Sequence, residues 1–201
     1  NGVRLAPKIQ LDAATNEYES AQLIMTATSA VGAYSVELAD LKLQSDATKI
    51  FSKENVTVYN QKYIEITTIT NSTDVPVGWY PDALLPLSSA IEYGENTIKE
   101  GENQGLWFTF FVPEGTAPGT YTGSFLITVD GKSTSIPVSL TVFDYMVSEE
   151  THSKSIFMNQ WQFYYGELDS TEAMYDKYTE ALKEYRLSVW ELTRGFDGSQ
   201  K

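Results

Sequence analysis

Paired carboxylates are the first residues in this sequence whose types and spacing could do chemistry. Glu17 and Glu19 lie two apart in Glu17-Tyr18-Glu19, Glu149 and Glu150 are adjacent, and Glu92, Glu95, Glu100 and Glu102 share a glycine-containing segment. Two carboxyls held on one face can divide acid and base work, as hydrolysis of a glycosidic bond requires. On a strand, residues two apart share a face, and burial there would raise one pKa; the plainer reading of Glu17 and Glu19, a solvated strand face, is preferred. Glu92 to Gln104 carries oxygen ligands for a weak cation site, but it lacks the order of a dedicated calcium loop, so a solvated acidic loop is expected.

Other chemistries are excluded by composition. The chain has no cysteine and one histidine, His152, so neither a thiolate nucleophile nor a Cys or His metal cluster is available. No Gly-x-Ser-x-Gly elbow accompanies His152, which leaves a hydrolase triad unsupported. No metal and no cofactor are therefore expected. The net charge of -13 repels polyanions and argues against nucleic acid as a partner. No apolar run of about 18 residues is present, so membrane insertion is not expected, and no export signal stands at the start.

The positioning elements follow from hydrophobic alternation. From Asn16 to about Phe143, short alternating runs separated by turn signals predict an antiparallel β-sandwich of immunoglobulin-like kind, a mainly β fold. Glu17 to Thr26, Ser35 to Leu38, Val56 to Tyr59 and Tyr63 to Thr67 read as strands. The firmest local feature is a hairpin of Gly123 to Val129 and Lys132 to Val142 about Asp130-Gly131, a pair suited to a type I′ turn. Leu106 to Pro113 reads as a strand buried on both faces. Pro118-Gly119-Thr120-Tyr121 places a tyrosine whose hydroxyl should staple a corner by bonding nearby backbone.

Trp79-Tyr80-Pro81-Asp82-Ala83-Leu84-Leu85-Pro86-Leu87 is apolar yet broken by prolines, which bar a regular helix or a central strand. It is expected to be an irregular strap with Trp79 and the leucines largely buried and Asp82 bonding backbone N–H groups. The alternative is a sugar platform built from exposed Trp79, Tyr80 or Trp107.

After Ser148 the pattern changes. Ser155 to Trp161 reads as a strand, Asp169-Ser170-Thr171-Glu172 as a capped helix start, and Leu187 to Arg194 as a second strand. The helix between should turn Met174, Tyr178, Ala181, Leu182 and Tyr185 to one side. Strand, helix and strand make a βαβ unit, the first of a truncated (β/α) barrel. The division is a sandwich over 1–147 and the barrel start over 148–201. A lone parallel unit cannot cover its own sheet, so the chain reads as the front part of a longer protein. In a barrel, Asn159, Gln160 and Trp161 would stand at the C-terminal end of the first strand and Arg194 at that of the second, where substrate binds. Trp161 would stack on a sugar face while Asn159, Gln160 and Arg194 bond its hydroxyls. Alternatively, Trp161 packs under the following loop and Arg194 pairs with an acid.

Several segments in order resemble glycoside hydrolase family 123 and its relatives with a barrel domain of unknown function. They are Ala14 to Leu23, the Trp79 to Leu87 stretch, Asn103-Gln104-Gly105-Leu106-Trp107, and Val112 to Gly123. The resemblance implies a β-sandwich joined to a (β/α) barrel that removes N-acetylgalactosamine or a related N-acetylhexosamine from glycans, in an exported or surface protein of a bacterium. It also implies an acidic pair in which one carboxyl is general acid and the other orients the substrate's acetamido group. That pair belongs beyond Lys201, so no catalytic residue is expected here and this stretch alone should be inactive. Its partners would be the glycan, through the full-length protein, and the remainder of the barrel. A stand-alone carbohydrate-binding or surface module is the other reading.

Overall fold

The structure is a computed structural model, and it describes residues 7–68, 76–150, 157–158, 172–187 and 189–190. The chain divides into two compact units at Val147 and Ser148.

The first unit is mainly β and consists of two sheets. Its strands are β1 (Ile9–Thr15), β2 (Glu17–Thr26), β3 (Tyr34–Glu37), β4 (Leu41–Leu43), β5 (Asp46–Phe51), β6 (Val56–Ile66), β7 (Gly78–Pro86), β8 (Asn103–Val112), β9 (Gly119–Val129) and β10 (Lys132–Met146), with a short helix α1 (Leu87–Glu92) after β7. One sheet has the order β1-β10-β9-β4-β5, with β3 also on β9, and the other the order β2-β8-β6-β7. All pairings within the sandwich are antiparallel except that β1 runs parallel to β10. This departs from the all-antiparallel expectation because β1 and β2 belong to different sheets. The chain crosses between them at Asn16, whose φ of 59° is a left-handed conformation that asparagine tolerates. The crossing is fixed by Asn16 N–H to Val112 O at 2.6 Å and Asn16 Nδ2 to Val147 O at 2.9 Å.

Alternation builds the core between the sheets. On β8, Leu106, Phe108, Phe110 and Val112 are buried completely, while Trp107, Thr109 and Phe111 on the other face are half-buried. Burial on both faces is thus only partly realised; on the outer face Phe111 packs on Tyr18 with ring centroids 4.6 Å apart. Inside, Phe110 stacks near Phe51 and Phe125, at 6.2 and 6.1 Å. The hairpin forms as the sequence predicts. Asp130 and Gly131 both take positive φ, 45° and 76°, and Lys132 pairs with Val129. Tyr121 is buried and its hydroxyl donates to Ala117 O at 2.8 Å, the expected corner staple.

The proline-punctuated stretch is a strand. Residues Gly78–Pro86 form β7, an edge strand pairing with β6 alone, so the prolines withhold donors from no second neighbour. Gln61 faces Leu84 but Tyr63 faces Pro81, so Asp82 and Ala83 together oppose one residue of β6 in a bulge. The expected burial is overturned. Trp79 is 64% exposed and Leu84 40%, Leu85 is half-buried, and of the apolar residues named only Leu87, the first of α1, joins the core. Asp82, expected to hold a turn, lies exposed within the strand.

In the second unit, β11 (Phe157–Met158), α2 (Glu172–Glu184) and β12 (Val189–Trp190) follow in that order, with Phe157 paired in parallel to Val189 and Met158 to Trp190. The expected cap at Asp169 lies outside the described residues. On α2 and just beyond it, among the described apolar side chains Leu182 is half-buried, whereas Ala181 is exposed and Tyr178 and Tyr185 are 36% and 76% exposed.

Candidate functional site

A concavity arises where β6 leaves β8. From Val56 to Asn60, β6 is laddered to β8, ending at Asn60 opposite Leu106. The next position is taken by a side chain. Gln104 is buried and its Nε2 donates to Gln61 O at 2.8 Å and to Gly105 O at 2.9 Å. A carboxamide in place of a backbone bond ends the ladder, and from Gln61 onward β6 holds only β7. The segment between α1 and β8 closes the other side. It is pinned by Glu95 N–H to Ala90 O at 2.7 Å, Gly101 N–H to Ala27 O at 2.8 Å and the paired backbones of Ile98 and Val31.

Between these walls lies a cavity of about 520 Å³, edged by Trp79 and half-buried Tyr63. Its polar side chains are held in place. Gln22 Nε2 donates to Gln61 Oε1 at 2.6 Å and Thr26 Oγ1 to Asn103 Oδ1 at 2.7 Å. Gly105 lies beneath, where a Cβ would collide with the Gln61 carboxamide and force it to move. Lys62 Nζ meets Glu95 Oε2 at 2.7 Å, and Lys99 meets Glu102 at 3.6 Å, so the charges around the cavity cancel in pairs. Behind the wall, the buried Tyr34 hydroxyl donates to Asn60 Oδ1 at 2.7 Å. Burial, with the nearby negative charge of Glu95 second, pushes the Tyr34 hydroxyl well above the usual tyrosine range.

The sequence-predicted residues fare differently. Asn159, Gln160, Trp161 and Arg194 lie outside the described residues, as does His152. Glu17 and Glu19 share a face and are half-buried, and they face Val112 and Phe110, which corrects the solvated strand face. Glu17 is engaged structurally, its Oε2 accepting from Ala14 N–H at 2.7 Å across the turn into β2. Of the acidic loop, Glu95 and Glu102 are paired with lysines, and among the described residues no group of three or more metal-ligating side chains converges. Trp79 is exposed as the platform alternative requires. Tyr80 cannot join it, because neighbours on a strand point to opposite faces, and its hydroxyl bonds Pro76 O at 2.7 Å. As cleft residues, Gln61, Lys62 and Tyr63 are passed over by sequence reasoning, and Glu95 is read only as part of a solvated acidic loop. The available signal was Asn103-Gln104-Gly105, two carboxamides and a glycine where an apolar strand begins.

The family profile of the glycoside hydrolase 123 N-terminal domain matches residues 3–129. The chain belongs to this family. Among solved structures it is similar to a family 123 glycoside hydrolase from Clostridium perfringens, described for its hydrolysis of glycolipid glycans, at 19% identity and a TM-score of 0.68. That likeness, which concerns the fold, covers 90% of this chain and 32% of the other, so this glycoside hydrolase 123 N-terminal domain chain spans about a third of the hydrolase's length. Weaker matches include the CooA pilin subunit of enterotoxigenic Escherichia coli, at 12% identity over 67% of this chain and 89% of the pilin, with a TM-score of 0.33. An endo-fucoidan hydrolase of family 107 matches at 13% identity over 69% of this chain and 13% of its own, with a TM-score of 0.26. No curated protein matches the chain. Among the described residues no helix is long and apolar enough to cross a membrane.

Proposed function

We propose that this chain is the non-catalytic front part of a bacterial glycoside hydrolase, secreted or held at the cell surface, whose full-length form acts on N-acetylhexosamine-containing glycans. Membership of the glycoside hydrolase 123 N-terminal family carries this reading. The second unit supports it: strand, helix and a parallel second strand is how a (β/α) barrel begins, and the exposed Tyr178 and Ala181 of α2 suit a helix awaiting further packing. In that barrel, Trp161 would stack on the sugar while Asn159, Gln160 and Arg194 bond its hydroxyls, and the remainder of the barrel would be the intramolecular partner. The engagement of Glu17, Glu95 and Glu102 in the sandwich's own contacts speaks for a domain that leaves acid and base work to others.

The test is hydrolysis of aryl N-acetylhexosaminides by the full-length protein and by residues 1–201 alone. Release of the aryl alcohol by the full-length protein only is expected. Turnover by residues 1–201 would overturn the non-catalytic assignment, and inactivity of the full-length protein on a broad glycan panel would sink the hydrolase assignment.

A further inference from the structure

We propose that the cleft between the free half of β6, β7 and residues 94–104 binds a neutral pyranose of a glycan chain. This inference stands on the chemistry of the cleft and does not rest on the hydrolase reading. A cavity of about 520 Å³ falls within the size range of small-ligand sites and suits one or two sugar rings. Trp79, 64% exposed on an edge strand, leaves a large flat apolar surface in water. The C–H face of a pyranose covers such a surface, while the ring's hydroxyls need partners around the edge.

Those partners are present and already oriented. Gln61 and Asn103 have their carbonyls engaged by Gln22 and Thr26, which leaves their amide N–H pairs without an acceptor among the described residues. Gln104 is the reverse: its N–H groups are given to backbone carbonyls, leaving its Oε1 to accept. Fixed donors beside a fixed acceptor match hydroxyls, which both donate and accept, and the side-chain ordering is complete before a ligand arrives. An apolar protein partner would instead strip water from these carboxamides and from the Lys62–Glu95 pair without replacing it. Charge narrows the ligand further. The cleft's two ion pairs cancel while the chain as a whole carries -13, so a sialylated, sulfated or phosphorylated ligand is repelled.

Calorimetric titration of the 201-residue chain with galactose, N-acetylgalactosamine, cellobiose and chitobiose, with sialyllactose as the charged arm, tests this directly. At least one neutral sugar should bind with a Kd on the order of 1 mM, and sialyllactose should not. Trp79→Ala should weaken binding about tenfold and Asn103→Ala severalfold, both with unchanged circular dichroism, since each side chain is exposed. The proposal is overturned if no neutral sugar binds, if both variants bind like the parent, or if sialyllactose binds as tightly as the neutral sugars.

Discussion

The two halves of β6 meet opposite demands. Val56 to Asn60 is laddered to β8, with Val56, Val58 and Asn60 facing Phe110, Phe108 and Leu106. Gln61 to Ile66 has lost β8, carries the bulged pairing with β7, and borders an open cleft lined with amides and ion pairs. In the first half, burial against β8 fixes structure, and only Asn60 at its end reaches the cavity wall. In the second, a single buried carboxamide, that of Gln104, ends the ladder and turns sheet edge into binding surface. One strand can thus be scaffold and site when the interruption is polar and fully bonded.

Substitutions should sort themselves by half. The largest effect is expected from Phe110→Ala, which removes a fully buried ring from between Phe51 and Phe125; urea unfolding should show a loss of about 3–5 kcal/mol. A smaller loss would mean that the closed half is less tightly packed than its burial indicates. Tyr34→Phe lies at the boundary and leaves the Asn60 carbonyl buried without its donor, a cost of about 1–3 kcal/mol at neutral pH. Because folded Tyr34 holds its proton more tightly than the unfolded chain does, its stabilisation is complete below about pH 10 and falls away as pH rises further. Melting of the two proteins should therefore converge above about pH 10, and a constant gap would contradict the assignment of the shift to this hydroxyl.

Effects shrink in the open half. Gly105→Ala should displace the Gln61 carboxamide and break its bond from Gln22, costing about 1 kcal/mol by thermal melting while abolishing sugar binding. Trp79→Ala should change stability by less than about 0.5 kcal/mol, since the indole stands in solvent; a greater loss would show that the indole braces the sheet.

This division also marks what was legible in the sequence. Asp130-Gly131 fixes its turn through two positive φ values, and Tyr121 carries its own staple four residues away, so both could be read locally. The strands β1, β4 and β5 escaped notice because their alternating runs are short, three residues in β4, and because β1 and β4 find sheet partners in β10 and β9 far along the chain. For β7 the prolines correctly barred a central strand, but they equally suit an edge, which explains why its apolar residues stand in water instead of forming a strap. Of the cleft, only the exposed Trp79 of the platform alternative and the Asn103-Gln104-Gly105 signal could be read in the sequence. Gln61, Glu95 and Gln104 come together only through the splay of β6 from β8, and no local spacing announces that a side chain will replace a ladder bond.

The most direct measurement is a two-dimensional 1H–15N spectrum of the 201-residue chain during titration with the sugar that binds best. The Trp79 indole N–H and the carboxamides of Gln61, Asn103 and Gln104 should shift together with one saturation curve, while the amides of Ala117, Tyr121 and Phe110 stay in place. Shifts confined to the closed half, or an unmoved Trp79 indole at saturation, would contradict the account.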